Sequence, residues 1–127
     1  MDIRTLSGSA LSYLGDAIFT LKVREFYLEH NYRTPGSLQQ MSAKYNSAVG
    51  QRKVFERLDR EGFFTEEEKE IFKRGRNDIS HIPASSDLVT YEIASGLEAI
   101  CGHLYLTDLV RMDELFEEVF KGGVENE

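Results

Sequence analysis

The chain has 127 residues, which is enough for one domain with a real core and small for two. Its single cysteine excludes an intramolecular disulfide framework, and 29% charged residues are ordinary for a globular protein. The net charge of −7 argues against a nucleic-acid partner, but residues 22–76 hold 12 Lys and Arg against 9 Asp and Glu, whereas residues 77–127 hold 2 against 11. We expect a cytoplasmic protein with no membrane span or export signal. Its basic middle could bind phosphates or could simply be solvated.

Apolar residues recur at intervals of three and four, and alternating strand patterns are missing, which predicts an all-α fold. The first predicted helix is apolar nearly all round, so it needs cover on nearly all sides. It lies near the two-fold axis of a homodimer, or it is the central helix of a monomeric bundle. Cap residues, prolines and glycines predict the other boundaries, with a polar loop at 76–86. The predicted helices are 6–30, 35–44, 47–61, 65–75, 86–106 and 107–121.

Two acidic residues stand alone in apolar stretches. Asp16 is the only charged residue in 5–21, and Glu98 is the only side chain in 93–107 that we expect to be ionised at neutral pH. Each has glycine nearby, and glycine inside a helix marks close backbone approach or open space for a ligand. Two carboxylates from different helices suit a Mg²⁺ ion that assists phosphodiester hydrolysis. Alternatively, each carboxylate pairs with a buried arginine or lysine.

The segments around these acids resemble the ribonuclease III family. Residues 11–18, Leu-Ser-Tyr-Leu-Gly-Asp-Ala-Ile, are similar to its signature helix, which has Leu-Gly-Asp at its centre. Residues 97–106 are similar to its second motif, Glu-Ala-Leu-Ile-Gly-x-Leu-Tyr-Leu. The two motifs occur in the family's order, and the resemblance covers nearly the whole chain. It is to the short branch, Mini-III ribonuclease, which lacks a double-stranded-RNA-binding domain.

The resemblance implies a single ribonuclease III-like catalytic domain at 1–127, a helical bundle that forms a two-fold homodimer. It implies a magnesium-dependent endoribonuclease that cuts double-stranded RNA and leaves 5′-phosphate and 3′-hydroxyl ends. For the short branch, the implied substrate is the precursor of large-subunit ribosomal RNA. Asp16 and Glu98 are the implied catalytic residues and Mg²⁺ ligands. Ser12 and Ser95 stand where longer members carry two further acids, so we expect them to support the site without adding charge.

Without a second domain, the catalytic domain must bind RNA phosphates itself. Basic and amide side chains can reach phosphates and 2′-hydroxyl groups across the minor groove of an RNA duplex. Alternatively, they complement a helix C-terminus or form a solvated face. Our first choice is Lys73, Arg74, Arg76 and Asn77 with the loop that follows, and our second is Ser47, Gln51, Arg52 and Lys53.

Two other functions stay open at this point. A catalytically silent RNA-binding protein of the same fold is compatible with serine at positions 12 and 95, although such a protein has no reason to keep two solitary acids. A helical protein-interaction domain unrelated to RNA would have no affinity for a duplex. The sequence makes no prediction about stimulation by a ribosomal protein.

Overall fold

A computed structural model describes residues 1–30, 34–78 and 87–122. Within these residues all regular secondary structure is helical, and a short 3₁₀ turn precedes the first α-helix. The elements are the 3₁₀ turn Ile3–Thr5 and the helices α1 (Gly8–Glu29), α2 (Pro35–Asn46), α3 (Ala48–Arg60), α4 (Glu66–Asn77), α5 (Leu88–Thr107) and α6 (Leu109–Gly122). The predicted all-α fold is confirmed.

Side-chain caps fix where the first five α-helices begin. In each case a side-chain oxygen accepts a backbone N–H of the first turn, which satisfies a group that the helix itself leaves unpaired. The capping residues are Ser7, Thr34, Ser47, Thr65 and Asp87. Thr65 and Glu68 form a capping box, with both of its hydrogen bonds. Local sequence signals therefore account for most of the helix starts.

The loop predicted at 76–86 begins later than expected. Helix α4 continues to Asn77, so Arg76 and Asn77 lie in its last turn rather than in a loop. Residues 79–86, the rest of the predicted loop, lie outside the described residues.

Helix α5 is the centre of the fold. It packs against α1, α3, α4 and α6, and half of its residues are buried. Leu97 and Ile100 have no exposed surface, and burial of a side chain of this size contributes about 1.5–3 kcal/mol. The interpretation that helix α1 is the central helix is therefore wrong, because α5 has that position.

Helix α1 is buried on one side only. Leu11, Ile18 and Phe19 are part of the buried core, but Leu21 and Leu28 of the same helix are 51% and 44% exposed. Tyr13, on the same outer side, is 85% exposed. The described part of one chain therefore leaves the outer face of α1 without cover.

A buried ion pair holds α6 against α4. Glu68 is 3% exposed and accepts two hydrogen bonds from Arg111, at 2.8 and 2.9 Å. The Arg111 guanidinium also lies over the Phe63 ring at 4.0 Å. Burial raises the pKa of Glu68, but the hydrogen bonds that it accepts and the charge of Arg111 outweigh this effect and hold the pKa below its ordinary value.

None of the described helices is both long and apolar enough to cross a membrane.

Candidate active site

The backbones of α1 and α5 touch at two glycines. A Cβ atom on Gly15 would lie 1.6 Å from the carbonyl oxygen of Glu98. A Cβ atom on Gly102 would lie 2.2 Å from the carbonyl oxygen of Leu11. No side chain fits at either position, so the two helices can approach this closely only because both residues are glycine. The glycines beside the solitary acids thus mark close backbone approach, one of the two possibilities that the sequence left open.

This contact brings the two solitary acids together. Asp16 follows Gly15 on α1, and Glu98 lies on α5 directly opposite Gly15. Their carboxyl groups are within hydrogen-bonding reach of each other. Asp16 is exposed to solvent, whereas Glu98 is largely buried behind it. The site therefore has one carboxylate at the surface and one beneath it.

No cation neutralises the pair within residues 1–30, 34–78 and 87–122. None of the ion pairs that the structure describes includes Asp16 or Glu98, and no arginine or lysine contributes to the shift in the pKa of Glu98. The alternative that each acid is locked to a buried basic residue is therefore wrong for the described residues. The same ranges contain no cluster of three or more His, Cys, Asp or Glu residues that could hold a metal ion, so any ion here would depend on two acids.

The electrostatics of the site oppose negative charge on Glu98. Burial, followed by the neighbouring charge of Asp16, raises the pKa of the Glu98 carboxyl from 4.5 to about 8. Burial, and then the charges of Glu98 and Asp16, also raise the pKa of Tyr91. In the absence of a cation the acid pair therefore retains a proton in neutral solution, which marks the site as one that would attract positive charge.

Gln51 does not lie where the sequence analysis expected it. It was predicted to contact RNA, but it is 1% exposed and cannot reach a bound duplex. Its Nε2 donates instead to Oε2 of Glu98 at 3.2 Å and to the carbonyl oxygen of Asn46 at 3.4 Å. The assignment of Gln51 to RNA binding is therefore wrong, and its contact is with the acid pair.

Ser12 and Ser95 lie at the α1–α5 interface, one helical turn from the acids. Both are buried, and the Ser12 hydroxyl donates to the backbone carbonyl of Ser95 at 2.6 Å. The Ser95 side chain is hydrogen-bonded to Tyr91. Both hydroxyl groups are thus engaged within the protein, and Ser12 ties the two helices together beside the acid pair.

Of the residues predicted as first choice for RNA binding, all four are exposed at the end of α4: Lys73, Arg74, Arg76 and Asn77. Lys73 pairs with Glu70 at 3.3 Å, and Arg74 donates to the carbonyl oxygen of Leu6. Arg76 has no ion-pair partner among the described residues. An open groove of about 540 Å³ runs beside them, and its lining consists of Ser7, Gly8, Glu70, Lys73, Arg74, Asn77 and Asp78.

The second-choice residues at α3 differ in their exposure and in their contacts. Ser47 is exposed and caps α3 through Gly50. Arg52 is partly buried, because it donates to Thr90 at 2.8 Å and lies 3.8 Å from Asp87. Arg52 therefore links α3 to the start of α5. Lys53 is partly buried and has interactions within the chain.

The comparisons with known proteins agree with this architecture. The family profile described as Ribonuclease III domain matches residues 9–109. The chain belongs to the ribonuclease III family. It is 37% identical to Mini-ribonuclease 3 of Streptococcus pneumoniae over 117 residues, which is 91% of each protein. It is 42% identical to Mini-ribonuclease 3 of Staphylococcus aureus over 105 residues, 82% of this chain and 78% of that protein.

A solved structure gives the same result. The crystal structure of a protein from Fusobacterium nucleatum matches with a TM-score of 0.81 at 34% identity, and the match covers 95% of this chain and 97% of that one. Membership of the ribonuclease III family confirms the predicted fold and the prediction of an endoribonuclease. The family acts on double-stranded RNA and is generally metal-dependent. The interpretation as an interaction domain unrelated to RNA is therefore wrong.

Sequence reasoning missed two neighbours of the acid pair, although signals for both were present. Tyr91 precedes Ser95 by four residues and Glu98 by seven, which is the spacing of one helix face. Gln51 precedes Phe55 by four residues and Leu58 by seven, so it lies on the apolar face of α3 and not on its basic face. Helical spacing alone would have placed Tyr91 near the acids and Gln51 inside the protein.

Proposed function

We propose that this ribonuclease III-family chain is a Mg²⁺-dependent endonuclease for double-stranded RNA, with Asp16 and Glu98 as catalytic residues and metal ligands. The observation that carries the proposal is the acid pair at the glycine contact of α1 and α5, which no arginine or lysine of the described residues neutralises. A binding protein without chemistry would gain nothing from two adjacent acids, one of them largely buried. The catalytically silent alternative is therefore disfavoured.

The donor set fits Mg²⁺. This ion prefers oxygen ligands and is commonly held by one or two carboxylates together with waters and substrate phosphates. Asp16 is open to solvent, so an ion can reach the pair, and Glu98 lies behind it as a second oxygen donor. An adjacent dication would also relieve the effects that raise the pKa of Glu98. The buried hydroxyl groups of Ser12 and Ser95 add no charge, so we expect fewer protein ligands than in longer members of the family.

When bound, Mg²⁺ would activate a water molecule and neutralise the charge that develops on the phosphate oxygens. The chain itself contributes position. Asp16 and Glu98 would hold the ion at the α1–α5 contact, where the two backbones lie close together. Hydrolysis at this point leaves 5′-phosphate and 3′-hydroxyl ends.

The RNA phosphates bind to the exposed end of α4. Lys73, Arg74, Arg76 and Asn77 present donors at the exposed end of the helix, beside an open groove that Lys73, Arg74 and Asn77 help to line. Ser47 adds a hydroxyl at the N-terminus of α3, where the helix dipole favours an anion. Arg52 is a weaker candidate, because its guanidinium already binds Thr90 and Asp87.

The chain acts as a homodimer through the outer face of α1. Tyr13, Leu21 and Leu28 lie on that face and are 85%, 51% and 44% exposed. Exposed apolar side chains of this size on one side of a helix are typical of an interface. We place one catalytic domain in each copy, spanning residues 1–127, and a pair of sites in each dimer.

We assign the precursor of large-subunit ribosomal RNA as substrate and the cytoplasm as location. The support is the sequence similarity to Mini-ribonuclease 3 over most of the chain. Purified chain should cut a duplex from such a precursor at fixed positions and leave an unrelated single strand intact.

The decisive experiment is cleavage of end-labelled duplex RNA with Mg²⁺ and with a chelator. We expect cleavage with Mg²⁺ alone, and a loss of at least about 100-fold in Asp16→Asn and in Glu98→Gln, because each removes a charged ligand. Asp113→Asn, an exposed acid on α6, serves as the matched control and should cleave like the unaltered protein. Cleavage that persists in the chelator, or in either acid variant, would remove the metal pair from the mechanism.

A further inference from the structure

We propose that Gln51 is a positioning residue for Glu98, and that it sets the affinity of the acid pair for its divalent cation. The inference rests on the proposed function, because it assumes that Glu98 is a metal ligand. It concerns a residue that touches neither solvent nor substrate and that reaches the ion only through Glu98.

The contact itself is direct. Nε2 of Gln51 donates to Oε2 of Glu98 at 3.2 Å and to the carbonyl oxygen of Asn46 at 3.4 Å. Both partners are acceptors, so the amide group can only present its nitrogen to them and its orientation is determined. One oxygen of Glu98, Oε2, is thereby held by a donor from the protein interior.

The backbone under Gln51 is fixed as well. The preceding residue, Gly50, lies so close to the α2–α3 corner that a Cβ atom would be 2.0 Å from the carbonyl oxygen of Lys44. Asn46, which accepts the second bond, belongs to the same corner. The amide group therefore projects from a rigid point on α3 onto a carboxylate on α5.

A packing role alone does not explain a glutamine here. Its side chain is 1% exposed and lies on the apolar face of α3. Its Oε1 is buried and has no hydrogen-bond partner among the described residues. A buried acceptor without a partner costs free energy that methionine or leucine in the same volume would avoid. The function of the amide is instead to donate its N–H to Glu98.

Residues that orient a metal ligand through a hydrogen bond commonly change metal affinity by about 10- to 100-fold when they are removed. Without its donor, Glu98 can rotate about its side-chain torsions and loses the fixed distance to Asp16. We therefore expect Gln51→Met, which keeps the volume and removes the donor, to weaken Mn²⁺ binding by about ten-fold. Gln51→Asn, which withdraws the amide by one methylene, should weaken it in the same direction.

The test is calorimetric titration of the full chain with Mn²⁺ in the absence of RNA, together with thermal melting of each variant. Val54→Ala is the matched control, because Val54 is fully buried one turn further along α3 and makes no polar contact with the acids. Val54→Ala should lower the melting temperature without weakening Mn²⁺ binding, whereas the Gln51 variants should weaken Mn²⁺ binding whatever their melting temperature. In cleavage assays the Gln51 variants should need more Mg²⁺ for half-maximal rate, with KM for the duplex unchanged.

The outcomes separate this inference from the proposed function. If the unaltered chain binds Mn²⁺ and cuts RNA while Gln51→Met and Gln51→Asn bind Mn²⁺ equally well, the positioning role is wrong and the proposed function stands. Weakening of the same size in Val54→Ala would mean a general loss of rigidity and would also overturn the inference. If the unaltered chain binds no Mn²⁺, the proposed metal site fails and the role of Gln51 fails with it.

Discussion

At the scale of single residues, the ionised form of Glu98 is costly to the folded state. Its carboxyl is largely buried next to a second acid, and its pKa rises from 4.5 to about 8. In the unfolded chain the group ionises near 4.5, so between these two values the folded state holds a proton that the unfolded state releases. Folding stability in the absence of metal therefore falls as the pH rises through this window.

We predict that Glu98→Gln is more stable than the unaltered chain when metal is removed by a chelator. Glutamine has nearly the same shape and cannot ionise, so the pH-dependent cost disappears. At about 1.4 kcal/mol per pKa unit, the gain at about pH 8 is on the order of 2–4 kcal/mol. Thermal melting between about pH 5 and pH 8 measures it, and the two proteins should converge at the acid end.

Glu117→Gln, which alters an exposed acid on α6, is the control for this prediction and should melt like the unaltered chain at every pH. Equal melting temperatures for Glu98→Gln and the unaltered chain at the alkaline end would contradict the raised pKa. Added Mg²⁺ should stabilise the unaltered chain but not Glu98→Gln, because ligand binding to the folded state adds to its stability.

Sequence alone was sufficient to single out Asp16 and Glu98, because a charge isolated in an apolar helix needs an explanation, and their catalytic role stays a prediction. It was not sufficient to place Gln51 beside Glu98. An amide can bind a phosphate at the surface or a carboxylate in the interior, and only the packing of α3 against α5 decides between them. The buried hydrogen bond of Ser12 to the Ser95 carbonyl is likewise a tertiary contact that no local pattern specifies.

At the scale of elements, the contact between α1 and α5 determines the geometry of the site. Gly15 lies at the closest point, directly beside Asp16 and against Glu98. The carboxyl groups of Asp16 and Glu98 lie close together because the backbones of α1 and α5 are in contact at this point. A change that separates the helices should therefore damage the fold and the site together.

We predict that Gly15→Ala destabilises the protein by at least about 3 kcal/mol, because its methyl group would overlap backbone atoms that cannot move aside. Gly36→Ala is the matched control: no atom lies within 4 Å of its added Cβ, and alanine favours helix, so this variant should be neutral or slightly more stable. Urea denaturation followed by circular dichroism measures both. A Gly15→Ala variant as stable as the control would mean that the helices can separate without cost.

The helix boundaries could be predicted because caps and breaks are local. The environment of α1 could not be predicted. Its pattern is apolar nearly all round, and it was expected to be covered on nearly all sides. In the described chain α5 takes the central position, and the outer side of α1 stays open around Tyr13 and Leu21. A hydrophobic pattern indicates that a face will be covered, but not whether the cover comes from the same chain.

At the scale of the whole molecule, the net charge of −7 repels RNA, so binding must come from local clusters of positive charge. We predict that Arg76→Ala weakens binding of a short RNA duplex several-fold in a chelator. It should also make the dependence of log K on log salt shallower by about one unit, because one cation that neutralises a phosphate is removed. Arg76 is the suitable position, since it is exposed and has no ion-pair partner among the described residues.

Lys121→Ala is the control for that measurement, because it removes the same charge at the far end of α6, where the side chain is 75% exposed. Fluorescence anisotropy at several salt concentrations gives both slopes. If the two variants lose the same affinity, the effect is one of total charge, and the surface at the end of α4 is not the binding surface.

The outer face of α1 leads to the last prediction, which concerns assembly. We predict that the unaltered chain sediments at twice its mass of 14.5 kDa and that Leu21→Glu sediments as a monomer. Leu21 is 51% exposed in the single chain, so a glutamate there is harmless to the fold but would bury a charge in the proposed interface. Val110→Glu makes the same change at an apolar residue that is 74% exposed on α6, and it should remain a dimer.

The assembly state should also change the product. A dimer carries two acid pairs and can cut both strands of one duplex, whereas a monomer cuts one strand for each binding event. Leu21→Glu should therefore accumulate nicked duplex, which is cut on a denaturing gel and intact on a native gel. If Leu21→Glu sediments as a monomer and still cuts both strands, cleavage does not require the dimer. The exposed face of α1 would then bind a different partner.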